Sequence, residues 1–233
     1  MKKAAVIGLG QFGYQVAIGL TQKGFDVIAL DKDPEIVSEV KDLVSQAVIL
    51  DSIDEKAMRA VNIDNVDIVI VSFGTNVQAS LLTTALLQRM NIEHISVRAI
   101  NQLQESILKS MGIKDIINIE KEMGIQLSNT LSLEGIGRYV EISDRHSLVE
   151  VVVPKPLVGK SLKDLHMRTK FKINIVGIKQ RKPQIDSAGE VAYEVEMTDV
   201  PDPEYPLGKD DILVIAGTDD NLNKFIQIGK SND

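Results

Sequence analysis

The feature that most constrains the fold is a repeated alternation of short apolar runs and helical segments across the first half of the chain. The apolar runs are rich in Val and Ile, as are strands buried on both faces of a parallel sheet. They are Ala4–Ile7, Val27–Leu30, Ala47–Leu50, Ile68–Val71, His94–Val97 and Ile116–Ile119. The helical segments between and after them are Gln11–Lys23, Pro34–Val40, Asp54–Val61, Asn76–Met90, Gln102–Met111 and Lys121–Leu131. This alternation predicts an α/β fold, a Rossmann-like doubly wound parallel sheet of six strands.

The second half has a different pattern and predicts a smaller α+β domain. Gly135 and Gly137 lie in a stretch, about 133–141, that we interpret as a linker. The two domains are therefore expected to span 1–135 and 136–233. The second is expected to contain strands, an exposed hairpin rich in Pro, Gly and acids, and a closing helix. In chain order these are Leu148–Val153, Ile173–Ile178, Gln180–Asp211 for the turns and hairpin, Ile212–Ala216 and Asp219–Ile228.

Composition excludes several function classes. The 233 residues are 44% hydrophobic, which is enough for a sizeable core. A net charge of −7 argues against nucleic acid as a partner, because nucleic acid is itself a dense anion. There is no cysteine, which excludes disulfides and thiolate metal sites. The start, MKKAAVIGLGQFG, is interpreted as a first strand rather than a signal peptide, and we expect a cytoplasmic protein.

A glycine-rich turn follows the first apolar run. Gly8, Gly10 and Gly13 have the spacing G-x-G-x-x-G, which allows a tight turn, close approach of a phosphate and packing of helix on strand. The exposed N–H groups and the dipole of the following helix favour an anion. Asp31 closes the second strand, where a carboxylate can accept hydrogen bonds from ribose hydroxyls. The pattern predicts nucleotide binding; in the alternative, the glycines only form a turn and Asp31 only caps a helix.

An NAD(P)-dependent oxidoreductase is the alternative function, since nicotinamide cofactors use the same motif. Such an enzyme needs a proton donor or acceptor beside its substrate, and the candidates are few. His94 begins a predicted strand, and His146 and His166 lie among polar residues of the second half. Tyr205 and Lys209 have Tyr-x-x-x-Lys spacing, but the proline and glycine between them argue against the helix that this chemistry requires.

Several motifs together resemble one known family. They are VIGLGQFG, ALDKDP, AVILDS, VIVSFGTNVQASLLTTALL, SVRAINQ and INIEKEMG. The series resembles the regulator of potassium conductance domains (RCK, also called KTN), and more closely the cytosolic gating subunit of Ktr/Trk-type potassium uptake systems. The resemblance covers residues 1 to about 135 well, and the remainder more weakly.

The resemblance implies a regulatory, ligand-sensing subunit that is not an enzyme. It would bind an adenine nucleotide, namely ATP, ADP, AMP or NAD(H). Dimers would assemble into an octameric homo-oligomeric ring, and a change in the shape of the ring would gate an integral-membrane potassium-translocating subunit. The protein would then be cytoplasmic and peripheral to the inner face of the cell membrane.

The resemblance also implies a set of cofactor-binding residues, most of them just after strand ends. They are Gly8, Gly10, Gln11, Phe12, Gly13, Asp31, Lys32, Asp33, Asp51, Ser52, Phe73, Gly74, Thr75, Arg98, Ala99, Ile100, Gln104 and Glu120. The three glycines and Arg98 would face the phosphates. Residues 31–33 would lie near the ribose and adenosine, and Asp51 and Ser52 near the adenine. A doubly wound sheet has its ligand crevice at this edge.

Three of these residues have a second interpretation. Arg98 offers a planar donor fork for phosphate, which is the interpretation we favour; in the alternative it pairs with a surface acid. Glu120 would hold Mg²⁺ or Ca²⁺ near the phosphates according to the resemblance, but it could also complement the dipole of its helix. Asp51 could cap the helix that starts near Asp54.

Gln11 is a departure from the ATP-sensing members of the family, in which an arginine often stands at this place. Glutamine can donate a hydrogen bond but has no charge. A ligand with fewer charges than ATP, such as ADP, AMP or NAD(H), is therefore favoured.

The resemblance implies a second ligand in the C-terminal half. In some relatives that domain binds cyclic di-AMP between two subunits, through an arginine and an asparagine. Arg168 and Asn174 stand at comparable places near HMRTKFKINI. In the alternative, these are an ordinary surface arginine and an asparagine at a loop end.

Overall fold

The computed structural model describes residues 2–132, 136–185 and 191–229, and it divides into two compact units. The first unit is Met1–Glu122 and the second is Met123–Asp233. The division falls within a helix, and the domain boundary expected near residue 135 stays a prediction.

The first unit is built on the predicted six-stranded parallel sheet. Its elements are β1 (Lys3–Ile7), α1 (Gln11–Gln22), β2 (Asp26–Asp31), α2 (Pro34–Val40), β3 (Gln46–Ile49), α3 (Glu55–Ala60), β4 (Ile68–Val71), α4 (Val77–Arg89), β5 (Ile95–Arg98), α5 (Gln102–Ser110), β6 (Asp115–Ile117) and the start of α6 (Ile119–Ser132). The strand order is β3-β2-β1-β4-β5-β6, so β1 lies between β2 and β4 and the order reverses beside it. The prediction of a doubly wound, Rossmann-like sheet is confirmed, with strand and helix ends shifted by a residue or two.

Helices cover both faces of this sheet, and the residues of β1 alternate between two cores. Ala5 and Ile7 belong to one apolar cluster, with Leu87 of α4. Ala4 and Val6 belong to the other, with Ala17 of α1. All four strand residues are buried, as expected for the central strand of a sheet with helices on both faces.

The second unit contains a five-stranded antiparallel sheet. Its remaining elements are β7 (Ile136–Ser143), β8 (His146–Val152), α7 (Leu162–Leu165), β9 (Asn174–Ile185), β10 (Val191–Thr198), β11 (Ile212–Thr218) and α8 (Asp219–Gln227). The order is β10-β9-β11-β8-β7. Strands β9 and β10 pair antiparallel, but β9 begins at Asn174, so the strand predicted at Ile173–Ile178 and the first arm of the hairpin predicted within Gln180–Asp211 are one continuous strand. One face of the sheet packs on α8, where Phe225 is fully buried and meets Phe171 edge to face at 5.3 Å.

The linker expected at 133–141 is corrected over most of its length. Residues 133–135 lie outside the described residues, but from Ile136 onward the chain forms β7, an edge strand paired with β8. The reason is a long-range contact that local sequence does not reveal. The Ser147 hydroxyl lies 2.6 Å from both the Tyr139 hydroxyl and the Asp219 carboxylate, within hydrogen-bonding distance of each, and so ties β7 to β8 and to the start of α8.

In the part of the chain that the structure describes, no helix has the length and apolar character needed to cross a membrane.

Candidate functional site

The glycine turn between β1 and α1 has geometry that only glycine accommodates at two of its three positions. Gly8 has φ +89°, and a Cβ there would stand 3.0 Å from the Phe73 ring. A Cβ on Gly13 would stand 1.9 Å from the Gly8 carbonyl oxygen, so α1 can approach β1 this closely only with glycine. At Gly10 a Cβ would meet nothing within 4 Å. The backbone at Gly10 therefore borders open space, into which a ligand can approach.

Two side chains from neighbouring strands hold this turn. The hydroxyl of Ser72, just after β4, shares its one O–H between the carbonyl oxygens of Ile7 (2.9 Å) and Gly8 (2.5 Å). The Asp31 carboxylate accepts from the N–H of Leu9 (2.6 Å) and of Asp33 (3.0 Å). Ser72 was missed by sequence analysis; the available signal was a polar residue directly after an apolar strand.

The start of α1 differs from the starts of the other α-helices of this unit within the described residues. A side chain accepts from backbone N–H groups at the starts of α2 to α6; these are Asp33, Asp54, Asn76, Asn101 and Asn118. Helix α1 has Gly10 at this position and no side-chain cap. Its first N–H groups and the positive end of its dipole are therefore left for an anion.

A cleft of about 350 Å³ lies at the carboxyl ends of β1 to β4. Seven of the predicted site residues line it: Asp31, Lys32, Asp51, Ser52, Phe73, Gly74 and Thr75. Six further lining residues were missed by sequence analysis: Ile7, Leu30, Leu50, Ile53, Asn76 and Ala79. The apolar ones form the wall, which only the packing of strands and helices brings together.

A second concavity, about 980 Å³, lies at the opposite edge of the sheet and includes Lys2, Asp67, His94 and Asp115. These residues precede or begin their strands. The smaller cleft is the candidate site, because ligands of doubly wound sheets bind beyond the carboxyl ends of the strands.

The acidic residues at or just after the ends of β2 and β3 have distinct local roles; Asp31 and Asp51 line the cleft, and Asp33 does not. Asp33 caps α2, accepting from the N–H of Glu35 at 2.9 Å. Asp51 accepts from the N–H of Ile53 at 3.2 Å, whereas the cap of α3 is Asp54. The interpretations of Asp31 and Asp51 as helix caps are therefore wrong.

Three predicted contact residues have side chains that serve the fold. Ser52 is 6% exposed, and its hydroxyl pairs with that of Thr83 at 2.7 Å. Gln104 is 2% exposed; its amide accepts from the N–H of Ile100 (3.0 Å) and donates to Ser80 Oγ (3.1 Å). Ala99 is fully buried. The side chains of Ser52 and Gln104 thus already have partners, and Gln104 shapes the loop after β5.

Arg98 ends β5 and joins the glycine turn to α6. Its guanidinium carbon lies 5.7 Å from the centre of the Phe12 ring, within the range of a cation–π interaction. Its Nη2 donates to Glu120, in the first turn of α6. The Arg98 side chain is only 16% exposed, so this ion pair is partly buried. The pair agrees with the alternative interpretation of Arg98, and the acid is the other candidate, Glu120; the phosphate-facing role of Arg98 stays a prediction.

The environment of Glu120 favours its charged form. A hydrogen bond from its own backbone N–H, followed by the Arg98 guanidinium, holds the pKa of Glu120 below its usual range. Within residues 2–132, 136–185 and 191–229, no group of three His, Asp or Glu side chains is arranged to hold a metal ion. Because Ca²⁺ takes six to eight oxygen ligands and Mg²⁺ needs an octahedron, Glu120 does not by itself make a cation site in one copy of the chain.

The surroundings of Tyr205 do not support the catalytic role that the oxidoreductase alternative would give it. Residues 205–209 are not helical. The Tyr205 hydroxyl donates to Asp211 at 2.9 Å and accepts from the Gln180 amide. Burial, and then Asp211, raise the pKa of Tyr205, which is the wrong direction for a catalytic base. His94 and His146 are exposed and lie in different units.

The remaining predicted residues lie at the surface. Gln11 begins α1 and is exposed. Arg168 lies in a short π-helix, Met167–Phe171, and Asn174 begins β9; both are exposed. Their role towards cyclic di-AMP stays a prediction.

Comparison with known proteins gives a consistent result over nearly the whole chain. The TrkA-N domain matches residues 4–119, and the TrkA-C domain matches residues 148–228. The chain is 37% identical over 224 residues to the Ktr system potassium uptake protein C of Bacillus subtilis (strain 168), covering 96% of both chains. The chain belongs to the Ktr potassium uptake protein family. The family resemblance expected from the motifs is thereby confirmed.

A second Ktr relative and one solved structure agree with this membership. The Ktr system potassium uptake protein A of the same organism is 34% identical over 224 residues, covering 96% of this chain and 95% of the relative. The structure of the GsuK channel superposes with a TM-score of 0.61 over 95% of this chain and 38% of that one. At 14% identity, the GsuK likeness shows a shared fold.

Proposed function

We propose that this chain is a regulatory subunit of a potassium uptake system, and that it senses an adenine nucleotide rather than transforming it. The ligand is ATP, ADP, AMP or NAD(H), and it lies in the cleft at the carboxyl ends of β1 to β4. The observation that carries the proposal is the glycine turn, which opens at Gly10 onto space beside an uncapped helix start. Ktr relatives over nearly the whole length support the potassium uptake system as its context.

The cleft supports one orientation of the nucleotide. The phosphates would lie at the glycine turn and the start of α1, near Arg98. The adenosine would lie towards Lys32 and Asp51, with the Phe73 segment beneath it. In this orientation Asp31 has a shared role, because its carboxylate already accepts from Leu9 and would also accept from the ribose.

Binding must distinguish two conformations if it is to regulate anything, because a ligand with equal affinity for both shifts nothing. Arg98 is the natural link, since it lies beside the glycine turn and is paired with the first turn of α6. A nucleotide whose phosphate pairs with Arg98 would weaken the Arg98–Glu120 ion pair and so change the contacts at the start of α6. The second conformation would belong to a homo-oligomeric ring, and the ion would cross the membrane through a separate translocating subunit.

A cation held by Glu120 would require further ligands. Phosphate oxygens of the nucleotide and a second copy of the chain could supply them. Omitting divalent ions from a nucleotide titration tests this: if Mg²⁺ or Ca²⁺ joins the site, nucleotide affinity falls with EDTA, and more for the native chain than for Glu120→Gln.

The test of the proposed function is a titration of the purified full chain with ATP, ADP, AMP and NADH, followed by its mass and radius in solution. We expect saturable binding of at least one of them, and a multi-subunit particle whose radius differs between ligands. Absence of binding to all four would overturn the proposal. Oxidation of NADH with transfer of hydride to a small carbonyl compound would favour the oxidoreductase instead.

Gln11→Arg provides a second test at the same turn. A guanidinium at the start of α1 would add a charged donor near the terminal phosphate. We expect ATP to bind more tightly to this variant by a larger factor than AMP does. Equal changes for the two nucleotides would show that residue 11 does not face the terminal phosphate.

A further inference from the structure

The Arg98–Glu120 ion pair makes a further inference possible, which rests on the proposed function. We propose that Glu120 determines how many phosphate charges the cleft accepts. As the counter-ion of the guanidinium beside the glycine turn, it lowers affinity for nucleotides with a terminal phosphate relative to AMP. The residue thereby tunes specificity; it needs no contact with the nucleotide.

Arg98 is a cation that already forms an ion pair with a carboxylate. Nη2 donates to Glu120, and the guanidinium lies over the Phe12 ring in the first turn of α1. A Cβ on Gly74 would stand 3.4 Å from Nη1, so Nη1 lies beside Gly74, a residue that lines the cleft, although Arg98 itself is not among the lining residues. The Nε of Arg98 is buried and has no partner within the described residues. A phosphate bound at the glycine turn would approach this guanidinium with the Glu120 charge already paired to it.

Apart from Arg98, few positive charges near the cleft are available to neutralise a polyphosphate. Lys32 is the only cation among the described residues that line it, and it lies near the adenosine end. Asp31 and Asp51 line the same cleft and are acidic. The residue beside Gly10, where a cation would meet a terminal phosphate, is the uncharged Gln11. Arg98 is thus the main positive charge at the phosphate end, and Glu120 compensates it.

The loss of nucleotide affinity caused by the Glu120 charge should grow with the number of phosphates on the nucleotide. A single phosphate on the helix start is held by backbone N–H groups, which Glu120 does not affect. Each further phosphate brings negative charge towards the Arg98–Glu120 pair. Two like unit charges on opposite sides of a guanidinium, roughly 7 Å apart, repel each other by an amount that corresponds to about threefold in affinity in water and about fiftyfold at the dielectric constant of a protein surface; a change of about tenfold lies between these limits.

The experiment compares the dissociation constants of ATP, ADP and AMP for the native full chain and for Glu120→Gln, all in EDTA. Glutamine keeps the size of the side chain and an oxygen that can accept from Arg98, and it removes only the charge. We expect Glu120→Gln to tighten ATP about tenfold, ADP by less, and AMP by less than about threefold.

Two further variants distinguish the effect of the negative charge beside Arg98 from that of a negative charge elsewhere on the same helix. Glu122→Gln removes the same charge from an exposed residue of the same helical turn and should leave the ratio of ATP to AMP affinity unchanged. Glu120→Asp keeps the charge and should retain the native order of affinities. A Glu120→Gln variant that tightens ATP and AMP equally, or weakens ATP in EDTA, would overturn the inference while leaving nucleotide sensing intact. If the native chain binds no adenine nucleotide, the proposed function fails first, and this inference fails with it.

Discussion

The carboxylate of Asp31 accepts a hydrogen bond from the backbone N–H of Leu9 across 2.6 Å, joining the end of β2 to the middle of the glycine turn. Its second oxygen accepts from the N–H of Asp33. One side chain thus fixes both the glycine turn and the start of the segment after β2 that lines the cleft. The acid that sequence analysis assigns to the ribose also has a structural role.

Asp31→Ala should therefore weaken both folding and binding. Loss of a hydrogen bond to a charged acceptor leaves the part-buried Leu9 N–H without its partner, and we expect the free energy of unfolding to fall by about 1.5–3 kcal/mol. Urea unfolding measures this. Glu39→Ala, which removes an exposed acid from α2, is the control and should change stability by less than about 0.5 kcal/mol. Equal losses in the two variants would mean that the Leu9 contact contributes nothing.

Gly13→Ala and Gly10→Ala should separate folding from binding at the same turn. The Cβ at Gly13 would overlap the Gly8 carbonyl, so the helix must move away from the strand. We expect a loss of at least about 3 kcal/mol in stability, or no folded protein. At Gly10 the Cβ meets nothing within 4 Å, so stability should change by less than about 1 kcal/mol.

The Gly10→Ala variant should also bind nucleotide more weakly, although it remains folded. An added methyl would stand where the phosphate approaches the backbone, and we expect affinity to fall at least tenfold while the thermal midpoint stays near that of the native chain. Unchanged affinity in a folded Gly10→Ala variant would place the phosphate elsewhere.

The buried hydroxyl pair of Ser52 and Thr83 should behave as a coupled unit in stability measurements. Ser52→Ala or Thr83→Val alone leaves one buried hydroxyl unsatisfied and should cost about 1–3 kcal/mol. The double variant removes both groups, so its cost should be smaller than the sum of the two by about 1 kcal/mol or more. Simple additivity in a denaturant-based double-mutant cycle would show that the hydroxyls do not interact.

Gly19→Ala should make the protein more stable. Gly19 lies within α1, its φ is not positive, and a Cβ there would meet nothing within 4 Å. Alanine is favoured over glycine inside a helix by about 0.8–1 kcal/mol, so the thermal midpoint should rise. A lower midpoint would indicate that the outer surface of α1 is covered in the assembled protein.

Local pattern was enough to predict the elements of the first unit. The β1 run and the helix after Gly13 follow from the spacing of apolar residues and glycines, which acts within a few residues. The capping roles of Asp33, Asn76 and Asn101 are equally local, because each side chain bonds to N–H groups two or three positions ahead.

Contacts between distant parts of the chain were beyond this kind of prediction. Gln104 was predicted to bind the nucleotide. Its side-chain amide already forms hydrogen bonds with the Ile100 N–H, the Ser80 hydroxyl and the Arg98 carbonyl. In the same way, β7 was predicted as linker because nothing near Tyr139 in sequence reveals Ser147 and Asp219 as its partners.

The sequence by itself determined the alternation of strands and helices, the place of the glycine turn and the family, because these depend on residue types at short, regular spacings. Only the tertiary structure decided that Ser72 and Asp31 hold the turn and that Arg98 pairs with Glu120. These partners are 22 to 64 positions apart, and parallel strand pairing alone brings their side chains to one edge of the sheet.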